Sequence, residues 1–408
     1  MKRVGLWLAM LGVAAISVAT LTPVPGAGGG GTSQVCLICH QRGVADFISN
    51  IILFAPLGVG LALRRVSLLR VAAIAFGFSL TIELLQLQVI AGRDSNVGDL
   101  AANSLGGIVG WWLGRTLGWW LPRADGALRR SLALALTAIA VLLGGLSLLV
   151  PAPPTITYFM QWTADLGGLA HYQGEVLESR LGAVELRGAM RVDPDSAFRA
   201  LLMEPEWNVR FVAGEAPPSL APIVSIYDGL QREVVLLGAQ RDNVVYRQRL
   251  RAGELRFDEP DLRGYAMLEG IAPGDTASLG FRADRAEVCV QVNARSRCTH
   301  GYTIGDTWAL VMFPDVWGRV MRTIMSVAWL FAVFFPAGFV AHGRVPLAAA
   351  GVLVVTALLA GPVLLGFALT PFWQVAAAVL GLGAGYAGGQ LALRQHARFD
   401  RARAHATS

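Results

Sequence analysis

The sequence is short of charge, and among its charges it is short of lysine. Only 15% of the 408 residues are charged while 54% are hydrophobic, a composition too apolar for an ordinary soluble domain. Of the 34 basic residues, Lys2 is the one lysine and the others are arginines. The net charge of +6 comes without a basic stripe interleaved with aromatic residues, so the composition argues against nucleic-acid binding.

The sequence also lacks the short motifs of the common catalytic classes. It has no P-loop, no nucleophile motif and no cluster of residues at metal-ligand spacing. A dense Asp/Asn loop that would support calcium is absent as well. No motif therefore favours an enzyme, and we predict no resident metal.

Long apolar segments are what the sequence has in abundance, each long enough for the roughly 20 residues of a spanning helix. The first could be a signal peptide, because it has a basic start and a small-residue site at Ser17–Ala19. We favour a retained helix, since further membrane segments follow directly. We predict a polytopic α-helical membrane protein with spans near residues 4–22, 46–63, 68–91, 99–121, 130–150, 318–341, 346–368 and 371–392.

The arginines orient these spans. Basic residues lie before the first span, in alternate connections and in the tail, and an excess of basic residues marks cytoplasmic loops. We therefore expect an inner-membrane protein with both termini in the cytoplasm and a polar region, about 151–317, outside it. Arg319 and Arg322, at the outer start of the sixth span, run against this pattern.

The polar region alternates apolar and polar residues in the manner of β-strands. Gly, Pro, Asp and Asn separate the alternating segments at short intervals, which predicts an extracytoplasmic antiparallel β-sandwich. The chain then divides into a five-helix membrane domain over 1–150, the sandwich over 151–317, and a three-helix membrane domain with a basic cytoplasmic tail over 318–408.

Polar side chains recur inside the predicted spans, where they are costly and usually mark an interior cluster or a site. Their helical spacing puts each set on one helix face, and Gly106 and Gly110 continue one of these faces, allowing close helix approach. With Arg93 in the following loop, the sets predict a ligand pocket open to the outside. Its candidates are Asp46, Asn50, Glu83, Gln86, Arg93, Asp99 and Asn103, with Ser79 on the face of Glu83.

A purely structural role is the alternative for this cluster. Asp46 and Asp99 stand where helix N-caps belong, and amides often hold membrane helices together. Glu83 is harder to explain in this way, because a buried carboxylate must be protonated or paired. Arg93 is the nearest candidate cation.

Several motifs occur together over residues 40–121. Besides Asp46 and Asn50 they are LFAPLG (53–58), IELLQ (82–86), GRDSNVGDL (92–100) and NSLGGIVG (103–110). In this order and spacing they resemble the VanZ family, which is named for a protein associated with resistance to the glycopeptide teicoplanin. The resemblance implies a protein of the cell envelope linked to glycopeptide tolerance, and it supplies no catalytic residues.

The polar region carries a second resemblance. The strand–turn–strand pattern of residues 222–251 is similar to laminin-G-like, concanavalin A-like sandwiches, such as those appended to VanZ-type membrane domains. This resemblance implies carbohydrate binding. Aromatic side chains can stack on sugar rings, although they are more often core residues; the candidates are Trp162, Tyr172, Trp207, Tyr227 and Trp308.

The four cysteines form two pairs. Cys289 and Cys298 flank two short strands and a turn, so in an oxidising compartment we predict a hairpin disulfide, the alternative being two free thiols. Cys36, Cys39 and His40 have the CxxCH spacing of covalent haem attachment. We disfavour haem because the connection is short and no second axial ligand is evident. A disulfide or redox-sensitive pair is favoured there, and zinc is disfavoured without a second CxxC.

Three classes of function remain. We favour a non-enzymatic envelope protein that binds a glycan or a lipid-linked glycan outside the cytoplasm and contacts membrane lipids. One alternative is an intramembrane enzyme that acts on an envelope lipid or glycan through Glu83 and Asp99 as paired carboxylates. The other is a membrane assembly or scaffold protein, in which the polar cluster only holds helices together.

Overall fold

A computed structural model describes residues 2–22, 37–38, 41–88, 97–117, 122–193, 195–314 and 317–406. Its contacts divide the chain into two compact units. The N-terminal unit comprises Met1–Pro122, Leu255–Asp258 and Leu391–Ser408. The sandwich unit comprises Arg123–Glu254 and Glu259–Gln390.

Long helices dominate the N-terminal unit because its sequence consists of apolar runs. They are α1 (Lys2–Leu21), α2 (Gly43–Leu63), α3 (Leu68–Gln88) and α4 (Val97–Arg115). The first three are long and apolar enough to cross a membrane, whereas α4 is not among these candidates. Its sequence, VGDLAANSLGGIVGWWLGR, replaces part of the apolar surface of a span with glycine and polar residues.

The glycines of α4 bring its backbone against that of α2. A Cβ atom built on Gly106 would lie 2.6 Å from the carbonyl oxygen of Ile51, and one on Gly110 would overlap that of Ala55. These contacts confirm the close approach predicted for Gly106 and Gly110. They advance in the same direction along both helices, so α2 and α4 run parallel. Helix α4 thus packs in parallel along α2, which is a candidate membrane span, although α4 itself is not one.

The neighbouring helices run the opposite way. In α1, a Cβ on Gly5 would lie 2.7 Å from the carbonyl oxygen of Gly60, and one on Gly12 would lie 2.9 Å from the amide nitrogen of Leu57. Advance along α1 therefore corresponds to retreat along α2. A hydrogen bond between the side chains of Asn103 and Ser79 and the contact of Gly107 with the Ala75 side chain relate α4 to α3 in the same antiparallel sense. The four helices thus alternate in direction.

In the sandwich unit, long helices precede and follow the β-strands along the chain, and short helices lie between strands or directly after them. The long ones are α5 (Ala127–Leu148), α8 (Arg319–Phe339), α9 (Arg344–Leu364) and the part of α10 (Phe372–Ala406) up to Gln390. The short ones are α6 (Ser196–Met203), α7 (Arg251–Glu254) and a 3-10 helix (Ile304–Leu310). All four long helices contain candidate membrane spans, which brings the candidates in the described residues to seven.

The β-region forms two six-stranded antiparallel sheets, in the orders β4-β1-β6-β7-β8-β9 and β12-β11-β10-β5-β2-β3. Together with the helices, these sheets confirm the predicted fold class, a polytopic helical membrane protein with an inserted all-β domain. The strands are β1 (Tyr158–Trp162), β2 (Glu175–Leu181), β3 (Val184–Glu185), β4 (Ala189–Val192), β5 (Glu206–Val212), β6 (Ala221–Asp228), β7 (Glu233–Gln240), β8 (Asn243–Gln248), β9 (Leu262–Gly264), β10 (Thr276–Ala283), β11 (Glu287–Val292) and β12 (Arg295–His300).

Large aromatic side chains fill the space between the two sheets. Tyr246 of β8 stacks on Phe281 of β10, with ring centroids 4.2 Å apart, and Trp207 and Phe211 of β5 are also fully buried. Buried and exposed residues alternate along β5, as expected for a strand with one face on the core. The sequence pattern provided no expectation for helix α6; Asp195 caps its first turn by accepting a hydrogen bond from the amide of Phe198.

Candidate functional site

The predicted polar residues of the membrane helices lie together in part. We call Asn50, Ser79, Glu83, Asp99 and Asn103 the helix polar cluster. The Asn50 amide donates a hydrogen bond of 2.8 Å to the Asp99 carboxylate, which joins α2 to α4. The Asn103 amide donates one of 2.9 Å to the Ser79 hydroxyl, which joins α4 to α3. Helical spacing on separate helices thus does converge on shared contacts.

Other members of the predicted set have different surroundings. Gln86 donates a hydrogen bond of 3.0 Å to the carbonyl oxygen of Thr20, so it faces α1. Asp46 lies in the first turn of α2, after the N-cap residue Arg42, because the helix begins earlier than the sequence pattern indicated. There its carboxylate still faces the positive end of the helix dipole. Arg93 lies outside the described residues, as do Cys36, Cys39 and His40.

The helix polar cluster is buried in part: Ser79, Glu83 and Asn103 are buried, whereas Asn50 and Asp99 are half-buried. The side chain of Glu83 is 8% exposed and that of Asn103 is 2% exposed, and Asp46, Glu83 and Asp99 each make further interactions. The side-chain oxygen of Asn103 is buried with no hydrogen-bond partner among the described residues. Amide and hydroxyl contacts of this kind join membrane helices.

A second site, which the sequence analysis did not propose, lies in the sandwich unit. It is a cavity of about 530 Å³ between β9, the β11–β12 hairpin, the 3-10 helix, and the starts of α8 and α10. We call it the arginine cavity. Its lining includes the four arginines Arg263, Arg297, Arg319 and Arg322, and the five aromatic residues Tyr265, Tyr302, Trp308, Phe313 and Trp373.

A buried aspartate organises two of these arginines. Asp261 accepts two hydrogen bonds from the Arg263 guanidinium, at 2.8 and 2.7 Å, and a third of 2.8 Å from Arg322. Burial opposes ionisation of Asp261, but the hydrogen bonds from Arg263 and the charge of Arg322 outweigh it. The pKa of this carboxyl therefore lies below its ordinary value. One carboxylate shared by two guanidinium groups leaves a net positive charge at the cavity wall.

The hydrogen bonds of Arg322 use two of its three guanidinium nitrogens. Its Nε atom donates to the carbonyl oxygen of Trp317 at 3.2 Å, and its Nη1 atom is the one that contacts Asp261. Its Nη2 atom is buried and has no hydrogen-bond partner in the described part of the chain. The guanidinium carbon lies 4.5 Å from the centroid of the Phe313 ring, a cation–π contact that fixes the plane of the group.

Asp306 is the other acidic residue of the cavity wall, and its carboxylate caps the 3-10 helix to which it belongs. Its carboxylate accepts hydrogen bonds from the amide and hydroxyl of Thr303, at 2.8 and 2.6 Å, and one of 3.3 Å from Ser326. Burial raises the pKa of Asp306 above its ordinary value in spite of these bonds. The arginines therefore dominate the electrostatics of the cavity.

Hydrogen bonds hold the walls of the cavity together. Gln374 of α10 donates to the Thr303 hydroxyl at 2.7 Å and accepts from the Gly305 amide at 3.1 Å. Trp308 of the 3-10 helix donates to Ser326 of α8 at 3.1 Å. The 3-10 helix is thus joined to the starts of both α8 and α10, which makes the cavity a preformed one.

The five aromatic candidates for sugar stacking separate into two groups. Tyr172, Trp207 and Trp308 are at most 5% exposed, so they are core residues, although Trp308 also lines the arginine cavity. Trp162 and Tyr227 are half-buried on the sandwich. Tyr265 and Trp373, which were not candidates, are half-buried and line the cavity.

The second pair of cysteines lies on the edge hairpin that borders the cavity. Cys289 of β11 and Cys298 of β12 are directly opposite each other in the antiparallel register, and their sulfur atoms form a disulfide. The carboxylate of Glu287 lies beside them. The disulfide joins two strands that are already hydrogen-bonded, so it holds an exposed sheet edge in register.

One signal in the sequence pointed toward the arginine cavity. Arg319 and Arg322 are the exceptions to the charge pattern at the outer start of a span, and both line the cavity. Asp261, the partner of Arg322, lies 61 residues before it in the chain. No local pattern relates positions so far apart.

Comparison with known proteins concerns the N-terminal helices. Residues 14–118 match the VanZ/LLP1 family, about a quarter of the chain, which includes part of α1 and the whole of α2, α3 and α4. The similarity agrees with the resemblance found in the motifs of residues 40–121. No curated protein matches the chain, and no solved structure matches it either.

Proposed function

We propose that this VanZ-like membrane protein is a non-enzymatic protein of the cell envelope that binds a lipid-linked glycan on the extracytoplasmic side. The observation that carries the proposal is the arginine cavity, a preformed site whose walls include the starts of two membrane helices, α8 and α10. A ligand in this position has its head group against the sandwich and its lipid chains beside the helices.

The alternating helix directions support the proposed orientation. If α4 crosses the membrane with its neighbours, five spans precede the sandwich, and an odd number of spans puts it on the face opposite to the N-terminus. Arginine-rich connections on alternate sides support cytoplasmic termini and an extracytoplasmic sandwich. The disulfide Cys289–Cys298 also fits an oxidising compartment.

The size and lining of the cavity support a glycolipid head group as the ligand. A volume of about 530 Å³ lies within the range of about 300–1,000 Å³ that is usual for small-molecule sites. The half-buried rings of Tyr265 and Trp373 offer faces on which a sugar can stack. Val320 and Ile324 of α8 are exposed and suit contact with lipid chains.

Two further elements of the proposal rest on resemblance. A two-sheet antiparallel sandwich is the architecture expected of a laminin-G-like, concanavalin A-like domain, which supports a carbohydrate-binding role. The similarity of residues 14–118 to the VanZ/LLP1 family supports a link to glycopeptide tolerance. For the helix polar cluster we propose a structural role, because the hydrogen bonds Asn50–Asp99 and Asn103–Ser79 join its helices to one another.

The proposal is tested by measuring ligand binding in lipid nanodiscs. The probe is a polyprenyl-phosphate-linked sugar, and the variants are Arg322→Gln and the control Arg187→Gln, whose exposed side chain lies away from the cavity. We expect the wild type and Arg187→Gln to bind the probe equally and Arg322→Gln to bind it at least about tenfold more weakly, since a charged hydrogen bond contributes about 1.5–3 kcal/mol. Absence of binding to the wild type would overturn the proposal.

A further inference from the structure

We infer that the arginine cavity recognises the phosphate group that joins the lipid to its head group, through Arg322 and Arg319 at the start of α8. This inference deepens the proposed function and rests on it. The sugar and the lipid would define the two ends of the ligand, and the phosphate between them would supply the charge that the cavity selects.

The Arg322 guanidinium has one donor to offer a phosphate. Three nitrogen atoms of the Arg322 guanidinium can donate, and two of them have protein acceptors, Trp317 and Asp261. The third, Nη2, is buried in the cavity wall with no acceptor among the described residues. An unsatisfied buried donor is costly, and a turn of the Arg322 side chain that presents this nitrogen to an anion in the cavity would remove that cost.

The charges around Arg322 also favour an anion. Among the described lining residues there are four arginines and two aspartates. Asp261 is held by Arg263 and Arg322, and Asp306 accepts hydrogen bonds from Thr303 and Ser326, so neither acid neutralises Arg319. An apolar or neutral ligand would leave this positive potential uncompensated, whereas a phosphate would complement it.

The N-terminal end of α8 favours an anion as well. The N-cap residue is Gly318, which has no side chain to accept hydrogen bonds from the first turn. Arg319 and Arg322 are three residues apart and therefore share one helix face. The positive end of the helix dipole and two guanidinium groups thus act on the same region of the cavity, an arrangement suited to phosphate.

The position of α8 indicates where the phosphate comes from. Helix α8 is a candidate span that begins at Arg319, and lipid phosphates lie at the level where spans begin. On the same helix Val320 and Ile324 are exposed for contact with acyl or prenyl chains. The cavity is therefore positioned for the phosphate of a membrane lipid and not for one arriving from water.

The test compares four probes on the wild-type protein in nanodiscs of neutral lipid. They are a phosphate-linked glycolipid, the same sugar on diacylglycerol, phosphatidylglycerol, and inorganic phosphate as a soluble competitor. We expect the phosphate-linked glycolipid to bind at least about tenfold more tightly than its neutral counterpart, and inorganic phosphate at millimolar concentration to leave it bound. Equal binding of the two glycolipids would overturn the phosphate inference and leave the proposed function standing.

The other outcomes separate the two proposals. Binding of phosphatidylglycerol as tightly as the phosphate-linked glycolipid would support the phosphate site and contradict the glycan function. Displacement by inorganic phosphate would contradict the lipid source. If no probe binds, both proposals are wrong.

Variants assign the contact to particular side chains. Arg319→Gln changes an exposed side chain, so it tests the site without the risk to folding that attends Arg322. We expect Arg319→Gln and Arg322→Gln each to weaken the phosphate-linked probe severalfold or more and to leave the neutral glycolipid unchanged, with Arg187→Gln as the matched control. Full retention of phosphate selectivity in both variants would refute the assignment.

Discussion

Gly110 lies where α4 contacts α2, and its replacement by alanine tests the packing of the N-terminal unit. A Cβ atom at this position would overlap the carbonyl oxygen of Ala55 and lie 2.9 Å from the Ala55 Cα. Both atoms belong to a helix backbone, so no side-chain rotation can relieve the overlap. The helices must separate, and the contacts of Gly106 and Gly114 with α2 must loosen with them.

The expected magnitude follows from two opposing effects. Overpacking a close contact costs about 1–3 kcal/mol, and a backbone neighbour puts this site at the upper end. Alanine regains up to about 1 kcal/mol over glycine in intrinsic helix propensity. The net loss of stability for Gly110→Ala is therefore about 2 kcal/mol.

The matched control is Gly77→Ala in α3, where an added Cβ meets no heavy atom within 4 Å. Unfolding midpoints of the purified proteins in one detergent, followed by tryptophan fluorescence, compare the two variants. We expect Gly110→Ala to unfold at a lower temperature than the wild type and Gly77→Ala to match or exceed it. Equal midpoints for both variants would refute the packing of α4 against α2 described above.

Three other predictions concern the ion pair, the membrane orientation and the helix polar cluster. Asp261→Asn removes the buried carboxylate that Arg263 and Arg322 share, and we expect a loss of about 3–5 kcal/mol, measured by thermal unfolding at neutral pH. Because the pKa of Asp261 is lowered by folding, its ionisation stabilises the wild type above the ordinary carboxyl value near pH 4 and that stabilisation disappears as the pH falls further; a wild type and Asp261→Asn that lose stability in parallel there would contradict this assignment. An epitope inserted beside Leu230, which is 75% exposed, should be accessible to antibody on right-side-out vesicles, and one beside Asp125 only after permeabilisation; access to both from the same side would exclude an odd number of crossings between them. Asn103→Ala should lower the unfolding midpoint modestly, by the roughly 0.6–1.7 kcal/mol of a membrane hydrogen bond, with ligand binding unchanged; loss of binding at unchanged stability would instead favour the ligand pocket predicted from the sequence.

The sequence by itself determined the elements that depend on neighbouring residues. A helix spans a membrane when one run of the chain is long and apolar enough, so the spans could be predicted within a few residues of α2, α5, α8 and α9. Strand alternation is equally local, and the strand–turn–strand pattern of residues 222–251 corresponds to β6, β7 and β8. It missed β9, which is three residues long, because so short a strand has no period.

The contacts of the helix polar cluster could be predicted from the sequence only in part. Spacing placed each set of polar residues on one helix face, and the expectation that the faces meet is matched by the pairs Asn50–Asp99 and Asn103–Ser79. The same spacing put Gln86 with Glu83, whereas Gln86 hydrogen-bonds to α1. Residues i and i+3 on a helix diverge by tens of degrees, and only the packing of a third helix decides which neighbour each one meets.

Tertiary structure alone decided the arginine cavity. Asp261 and Arg322 are far apart in the chain and meet because the end of the sandwich is held against the start of α8 by the 3-10 helix. Local sequence encodes whether a segment is a helix or a strand, since that depends on backbone and side-chain preferences over a few residues. The meeting of charges from β9 and α8 depends on how whole elements pack, and a carboxylate between two guanidinium groups becomes visible only in the folded chain.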